Sequence, residues 1–145
     1  MTRDKIVVLV TCGTASEAER IARELVKRRL AACVNLLESP VRSIYRWRGK
    51  VENAPEYLLM VKTSRKRLAE LQREVERLHS YDVPEVIALP IAAGSEKYLA
   101  WLDEIVKRDR AGSRRKKGAD EAPSPPEADA MKPLDLLPGE VVKKT

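Results

Sequence analysis

Residues 6–37 read IVVLVTCGTASEAERIARELVKRRLAACVNLL, and this stretch decides the fold. It begins with the apolar run Ile6–Val10, continues through an amphipathic segment at Ser16–Leu30, and ends in the apolar run Ala31–Leu37. Short apolar runs bounded by turn residues predict strands, while apolar residues spaced by three and four predict a helix. Residues 6–37 therefore predict a β-α-β unit.

The same order recurs about fifty residues later. The apolar run Tyr57–Val61 is followed by an amphipathic stretch at Arg65–His79 and then by the apolar run Val86–Ile91. Two β-α-β units in tandem predict an α+β chain with the ferredoxin-like, split β-α-β sandwich fold. Because this fold carries many unrelated activities, it leaves the chemistry open.

Polar residues mark where the predicted helices begin. Thr14 and Glu17 have the spacing of a capping box, in which the threonine caps the helix and the glutamate reaches back to it. Ser64 is a plausible cap for the second helix, and Ser95 for an extra C-terminal helix that fades by Arg108.

A long hairpin joins the two units. The predicted strands run from about Ala31 to Arg48 and from Lys50 to Thr63, with a turn at Gly49 and a bulge or bend at Pro40. Alternation places two aromatic residues, Tyr45 and Trp47, on one face. Long exposed strand edges promote aggregation unless they are covered, so we expect another subunit to cover this hairpin.

Composition changes after the third predicted helix. Residues 1–108 predict one domain, and residues 109–145, which hold five of the nine prolines and no aromatic residue, predict a disordered tail rich in proline and charge. The formal net charge of +6 is a mild excess, usual for a solvated surface. The 34% of charged residues favours a thermostable protein with surface ion pairs.

The sequence also bears on location. No segment approaches the roughly 20 apolar residues that cross a bilayer, and the charged N-terminus does not resemble a signal peptide. We therefore expect a cytoplasmic protein in which Cys12 and Cys33 are free thiols.

Three stretches together resemble the CutA family of divalent-cation tolerance proteins. They are Ala31–Asn35, the hairpin Ser43–Lys50 with its continuation to Lys62, and His79–Glu85 with Tyr98–Leu102 downstream, in family order across about residues 5–106. The resemblance implies a homotrimer related in architecture to PII-type signalling proteins, and a link to copper and other divalent cations. This chain has Ser80 where most members have proline, which predicts a looser turn, and Val10 where some bacterial members have a cysteine.

The candidate metal ligands are His79, the only histidine, and Glu85. Imidazole suits Cu(II) and other divalent transition metals, and the turn between the two residues can bring them together. Two ligands are too few for a closed four-coordinate site, so neighbouring subunits would supply more or the ion would bind weakly. Alternatively, His79 ends its helix by hydrogen bonding to the last carbonyls.

A second group of residues suggests a pocket for a small charged ligand at a cleft between subunits. Lys62 lies in an otherwise apolar strand, so we expect a carboxylate partner for it. An interface salt-bridge network, an aromatic packing pair and a small buried thiol are the structural alternatives for members of this group. The candidate ligand-binding residues are Cys33, Trp47, Glu56, Lys62 and Tyr81.

The function expected from these observations is a trimeric protein that binds copper or another divalent cation and confers tolerance to it. The alternatives are a PII-like small-ligand sensor with incidental metal binding, or a nucleic-acid-associated protein acting through the basic tail at Arg114–Lys117. The central strands lack the aromatic platform of RNA-recognition domains. No nucleophile-base set or phosphate-binding glycine loop occurs, so we do not expect an enzyme.

Overall fold

The structure, a computed structural model, describes residues 4–108. The predicted tail at 109–145, including Arg114–Lys117, lies outside the described residues. In chain order the elements are β1 (Lys5–Cys12), α1 (Ala15–Lys27), β2 (Cys33–Leu36), β3 (Val41–Trp47), β4 (Lys50–Ser64), a 3-10 turn (Arg65–Arg67), α2 (Leu68–Leu78), β5 (Ile87–Pro90) and α3 (Glu96–Val106).

An antiparallel sheet of order β2-β4-β1-β5 forms the body of the domain. The strands of the first β-α-β unit, β1 and β2, alternate in this order with those of the second, β4 and β5. The predicted ferredoxin-like α+β fold is therefore confirmed. Strand β4 has three partners along its length, namely β1 and β2 on either side of its second half and β3 along its first half. Its second half pairs with β1, where Cys12 lies opposite Tyr57, and its first half pairs with β3, where Val41 lies opposite Glu56.

Alternate side chains of the central strands form the core. Ile6, Val8 and Val10 from β1 pack with Leu59 and Val61 from β4, all of them buried. The helices cover this face with the apolar residues spaced by three and four, namely Ala18, Ile21 and Leu25 from α1 and Leu71 and Val75 from α2. Burial of these aliphatic side chains supplies the main driving force for folding.

The hairpin differs in one respect from its prediction. Its first strand is interrupted, since β2 ends at Leu36 and β3 begins at Val41 directly after Pro40, which lacks a donor for the ladder. The turn between β3 and β4 is confirmed at Gly49, where Arg48 has φ 47° and Gly49 has φ 80°. Two consecutive positive φ values are typical of the tight turns that suit a twisted hairpin.

The helix ends also differ in detail. Helix α1 ends at Lys27 rather than near Leu30, because Arg29 adopts a left-handed conformation with φ 55°. Ser64 makes no capping hydrogen bond, and the 3-10 turn separates it from α2. Ser95 caps α3 by accepting the Tyr98 N–H at 3.4 Å, as predicted. Within residues 4–108, no helix has the length and apolar character needed to span a membrane.

Candidate functional site

The end of β1, the first turn of α1 and the loop after α2 meet at one place. Cys12 is the last residue of β1, and Thr14 caps α1 by accepting the Glu17 N–H at 3.2 Å. His79 follows α2, and its backbone N–H is held by the carbonyl of Val75 at 2.8 Å. The caps of two helices therefore fix the positions of Glu17 and His79.

The imidazole of His79 is fully enclosed, with a side-chain exposure of 0%. Its Nε2 lies 2.7 Å from the carbonyl oxygen of Thr11, and its Nδ1 lies 3.0 Å from the Tyr81 nitrogen. A carbonyl can only accept and a backbone N–H can only donate, so this arrangement assigns the proton to Nε2. The imidazole thus bonds across to β1, not to the last carbonyls of its own helix.

Glu17 holds the residue that follows His79. Its carboxylate accepts the Ser80 N–H at 2.7 Å and the Ser80 hydroxyl at 2.9 Å, and its Oε1 lies 3.4 Å from His79 Nδ1. The capping-box prediction was therefore right for Thr14 and wrong for Glu17, because that carboxylate serves the loop instead of the helix cap. A proline at position 80 would lack the N–H that Ser80 donates to Glu17, while the looser turn expected at this position stays a prediction.

Three metal-ligating atoms lie together in this region. The ligand atoms of Cys12, Glu17 and His79 are all within 4.8 Å of one another. Burial raises the pKa of the Cys12 thiol to about 12, and the negative charges of Glu17 and Glu56 add to the effect. We call these three residues the inner cluster. They offer one sulfur, one nitrogen and one oxygen donor.

A cleft of about 620 Å³ opens beside the inner cluster. Tyr81, whose backbone N–H bonds to His79, donates its hydroxyl to the carboxylate of Glu56 at 3.1 Å inside this cleft. Burial raises the pKa of Tyr81 to about 12, with the charge of Glu56 as the next cause. The lining residues are Thr11, Ser43, Ile44, Tyr45, Trp47, Glu56, Ser80, Tyr81, Asp82, Val83 and Glu85.

Glu85 belongs to the cleft and lies outside the inner cluster. It is an exposed residue of the cleft lining, whereas the imidazole of His79 is enclosed. Partial burial raises the pKa of the Glu85 carboxyl, and the negative charge of Glu56 raises it further. The structure thus groups Glu85 with Glu56 and groups His79 with Cys12 and Glu17.

Two predicted ligand-binding residues lie elsewhere. Cys33 of β2 is paired with Lys62 of β4, and neither lines the cleft. Burial raises the pKa of the Tyr98 phenol of α3, and the nearby Cys33 raises it further. Lys62 is only half-buried and forms no ion pair within residues 4–108, so the expected carboxylate partner is not found in this part of the chain.

The structure places the predicted residues Trp47, Glu56 and Tyr81 in one cleft, and it adds Asp82 to that cleft and Glu17 to the inner cluster, neither of which was a candidate site residue from the sequence. Glu17 was interpreted as a helix-capping residue, which accounts for its position in the sequence without requiring a further role. Its place beside His79 depends on how α1 packs on the loop after α2, at a separation of more than 60 residues. Cys12 was considered only as one of two expected free thiols.

Comparison with known proteins adds the family. Residues 6–105 match the family described as CutA1 divalent ion tolerance protein. The chain is 42% identical over 100 residues to the divalent-cation tolerance protein CutA of Archaeoglobus fulgidus, covering 69% of this chain and 96% of that one. It is 49% identical over 98 residues to the protein of the same name from Thermus thermophilus, covering 68% and 94%. The chloroplastic protein CutA of Arabidopsis thaliana is 46% identical over 101 residues, which are 70% of this chain and 55% of that protein.

Solved structures agree with these relatives. The structure of CutA1 from Oryza sativa matches with a TM-score of 0.71 at 42% identity, covering 74% of this chain and 98% of that one. The structure named as the periplasmic divalent cation tolerance protein CutA of Archaeoglobus fulgidus matches with a TM-score of 0.69 at 41% identity, covering 71% and 99%.

Proposed function

Since this chain belongs to the CutA family of divalent-cation tolerance proteins, we propose that it binds divalent transition-metal ions, copper among them, at the inner cluster. The observation that carries this proposal is the proximity of the ligand atoms of Cys12, Glu17 and His79, all within 4.8 Å of one another. The proposal keeps His79 as a ligand and replaces Glu85 with Cys12 and Glu17.

The donor set suits copper and zinc in kind. Thiolate sulfur and imidazole nitrogen are preferred ligands of both metals, while hard ions such as magnesium prefer oxygen alone. Three protein ligands leave at least one position for water or another ligand, as in open metal sites. The inner cluster is therefore suited to an ion that is taken up and released.

Binding has two local costs. The thiol of Cys12 must lose its proton, so uptake of the ion releases protons and strengthens as pH rises. Coordination at Nδ1 of His79 also requires that the Tyr81 N–H gives up its hydrogen bond. Because the hydroxyl of Tyr81 bonds to Glu56, we expect metal binding at the inner cluster to shift Tyr81 and so to change the cleft.

Calorimetric titration with Zn(II), which has no redox chemistry with thiols, tests the proposal, followed by titration with Cu(II). We expect His79→Ala and Cys12→Ser each to weaken binding by about tenfold or more, because even the loss of a residue that only orients a ligand costs about 10–100-fold in metal affinity. Glu76→Gln, on the exposed face of α2, is the matched control. Unchanged affinity in both ligand variants would remove the inner cluster as the site.

The protein acts as a homotrimer in this proposal. Two apolar residues on the hairpin, Ile44 and Val51, are 69% and 68% exposed in the single chain, and Ile87 and Leu89 on β5 are also exposed. Apolar surface of this kind supports contact with other subunits. Sedimentation velocity is expected to give three copies per particle, and a monomer at micromolar concentration would contradict the proposal.

We place the protein in the cytoplasm. Both cysteines are free in the structure, as expected where thiols stay reduced. Fractionation of the source cells tests this location, and recovery in a periplasmic fraction would overturn it.

A second candidate function is a PII-like sensor of a small molecule in which metal binding is incidental. The cleft of about 620 Å³ favours it, because that volume falls within the usual range for small-molecule sites. Under this alternative, Cys12→Ser would leave ligand binding in the cleft intact, while changes at Glu56 would abolish it.

A further inference from the structure

We infer that the cleft binds an organic cation, an amine or amidine carrying an apolar or aromatic body. This inference rests on the second candidate function, that the cleft takes a small molecule, and it names the chemical class of that molecule. Three properties of the cleft support this inference: its lining residues are acidic, its most buried carboxylate has no cationic partner, and two aromatic residues form one wall.

Within residues 4–108 of a single chain, every charged residue that lines the cleft is acidic. Glu56, Asp82 and Glu85 contribute three carboxylates, and this part of the chain places no lysine or arginine in the lining. The whole chain carries a formal net charge of +6, so this acidic lining is opposite in sign to the protein as a whole. Carboxylates gathered in one concave site select for cations and against anions.

Glu56 is the carboxylate with the greatest need of a partner. The residue is 7% exposed, and among residues 4–108 its one hydrogen-bonding neighbour is the neutral hydroxyl of Tyr81. No cationic side chain of the described part of the chain forms an ion pair with it. A buried carboxylate without a cation is costly, and a bound cation would remove that cost.

The aromatic wall distinguishes an organic cation from a metal ion. Tyr45 and Trp47 line the cleft on the strand that pairs with the strand of Glu56. The guanidinium of Arg48 lies 5.7 Å from the centroid of the Trp47 ring, so a ligand cation would have to contact the opposite face of this ring or displace Arg48. A hydrated metal ion gains little from such a wall, whereas an amidinium on an apolar body contacts both the ring and the carboxylates.

Three isosteric probes test the inference on the full-length protein in buffer containing a chelator. Benzamidine is the cation, benzamide its neutral match and benzoate the anion, each titrated by calorimetry. We expect benzamidine to bind at least about tenfold more tightly than benzamide, the scale of one charge-assisted contact, and benzoate not to bind. Equal binding of benzamidine and benzamide, or preference for benzoate, would overturn the inference.

Variants locate the site. Glu56→Gln keeps a hydrogen-bond acceptor for Tyr81 and is expected to lower the affinity for benzamidine about tenfold. Trp47→Ala is expected to lower that affinity by a similar factor. Glu85→Gln changes an exposed residue and keeps the test informative if Glu56→Gln does not fold. Glu104→Gln, exposed on α3 away from the cleft lining, is the matched control and should bind like the wild type.

The outcomes separate this inference from the functions on which it is built. Binding of Mn(II) that depends on Glu56, with no binding of benzamidine, would overturn it in favour of a metal-binding cleft. Failure of all three probes would remove both the inference and the small-molecule function. Preference for benzamide or benzoate would instead leave the small-molecule function standing and remove only the cationic class. Metal binding at the inner cluster is measured separately by Zn(II) titration of His79→Ala.

Discussion

Glu17 and Ser80 are joined by two hydrogen bonds, from the Ser80 N–H at 2.7 Å and from its hydroxyl at 2.9 Å. The pair ties the first turn of α1 to the loop that leaves α2. That loop carries His79 into the inner cluster and Tyr81 into the cleft. One carboxylate therefore positions residues of both candidate sites.

Substitutions at this pair should destabilise the fold unequally. Glu17→Gln removes the charge that accepts both bonds, and we expect it to lower the free energy of unfolding by about 1–3 kcal/mol. Ser80→Ala removes only the hydroxyl and should cost about 1 kcal/mol. Urea denaturation followed by circular dichroism measures both. An Ser80→Ala effect as large as that of Glu17→Gln would show that the backbone bond contributes little.

The phenol of Tyr81 should report the charge of Glu56. Burial and that charge raise the Tyr81 pKa to about 12 in the wild type. Glu56→Gln removes the charge but not the burial, so the pKa should fall part of the way towards the ordinary value of 10.0. Ultraviolet absorbance titration, with the curve of Tyr81→Phe subtracted, isolates this phenol from the other tyrosines. An unchanged pKa in Glu56→Gln would contradict the contact.

Acid should weaken the ion pairs of Glu74, one within α2 and one with Arg28 at the end of α1. Glu74 accepts two bonds from Arg77, at 2.6 and 3.1 Å, and lies 3.5 Å from Arg28. The hydrogen bonds from Arg77 hold the Glu74 pKa below its ordinary value of 4.5, so the stabilisation is present above that value and is lost as pH falls through the folded-state pKa.

The difference in melting temperature between the wild type and Glu74→Gln should therefore be largest near neutral pH and shrink on acidification. Glu76→Gln, two residues along the same helix and exposed, is the control. A difference that is independent of pH would mean that Glu74 contributes through packing and not through charge.

Alkali should weaken a buried ion pair between β1 and α3. The side chain of Lys5 is 6% exposed and bonds to Asp4 at 2.7 Å and to Asp103 at 2.9 Å. Burial lowers the Lys5 pKa, but the two carboxylates more than offset this, so the net pKa lies above 10.5. The stabilisation is thus present below 10.5 and is lost as pH rises through the folded-state pKa.

Asp103→Asn should lower the free energy of unfolding by about 1–3 kcal/mol at neutral pH, because Lys5 keeps only one of its carboxylates. The loss should diminish above the folded-state pKa of Lys5. Chemical denaturation at several pH values measures it, with Glu104→Gln as the neighbouring control. If the loss of stability in Asp103→Asn persisted at high pH, it would come from a change within α3 and not from the ion pair with Lys5.

The fold was predictable because local patterns and tertiary structure agree. Apolar periodicity located the strands and helices, and Gly49 marked a turn that requires positive φ. The path of the hairpin was less predictable, since the residues around Pro40 are compatible with either a bulge or a break. Helix α1 was predicted too long, because an arginine at position 29 does not by itself indicate a left-handed conformation.

The site was predictable only where it lies on one continuous element. Tyr45 and Trp47 share a strand face, and their alternation was visible in the sequence. The inner cluster joins Cys12, Glu17 and His79, which come from β1, α1 and the loop after α2. That proximity is a product of packing between elements distant in sequence, so spacing alone paired His79 with its neighbour Glu85 instead.

The absorption spectrum of the protein loaded with Co(II) tests the central claim most directly, because a cobalt-thiolate bond produces a charge-transfer band in the near ultraviolet. The account predicts such a band in the wild type and in Cys33→Ser, and its loss in Cys12→Ser and in His79→Ala. A band that survives Cys12→Ser, or Co(II) binding of full strength without any thiolate band, would contradict metal coordination at the inner cluster.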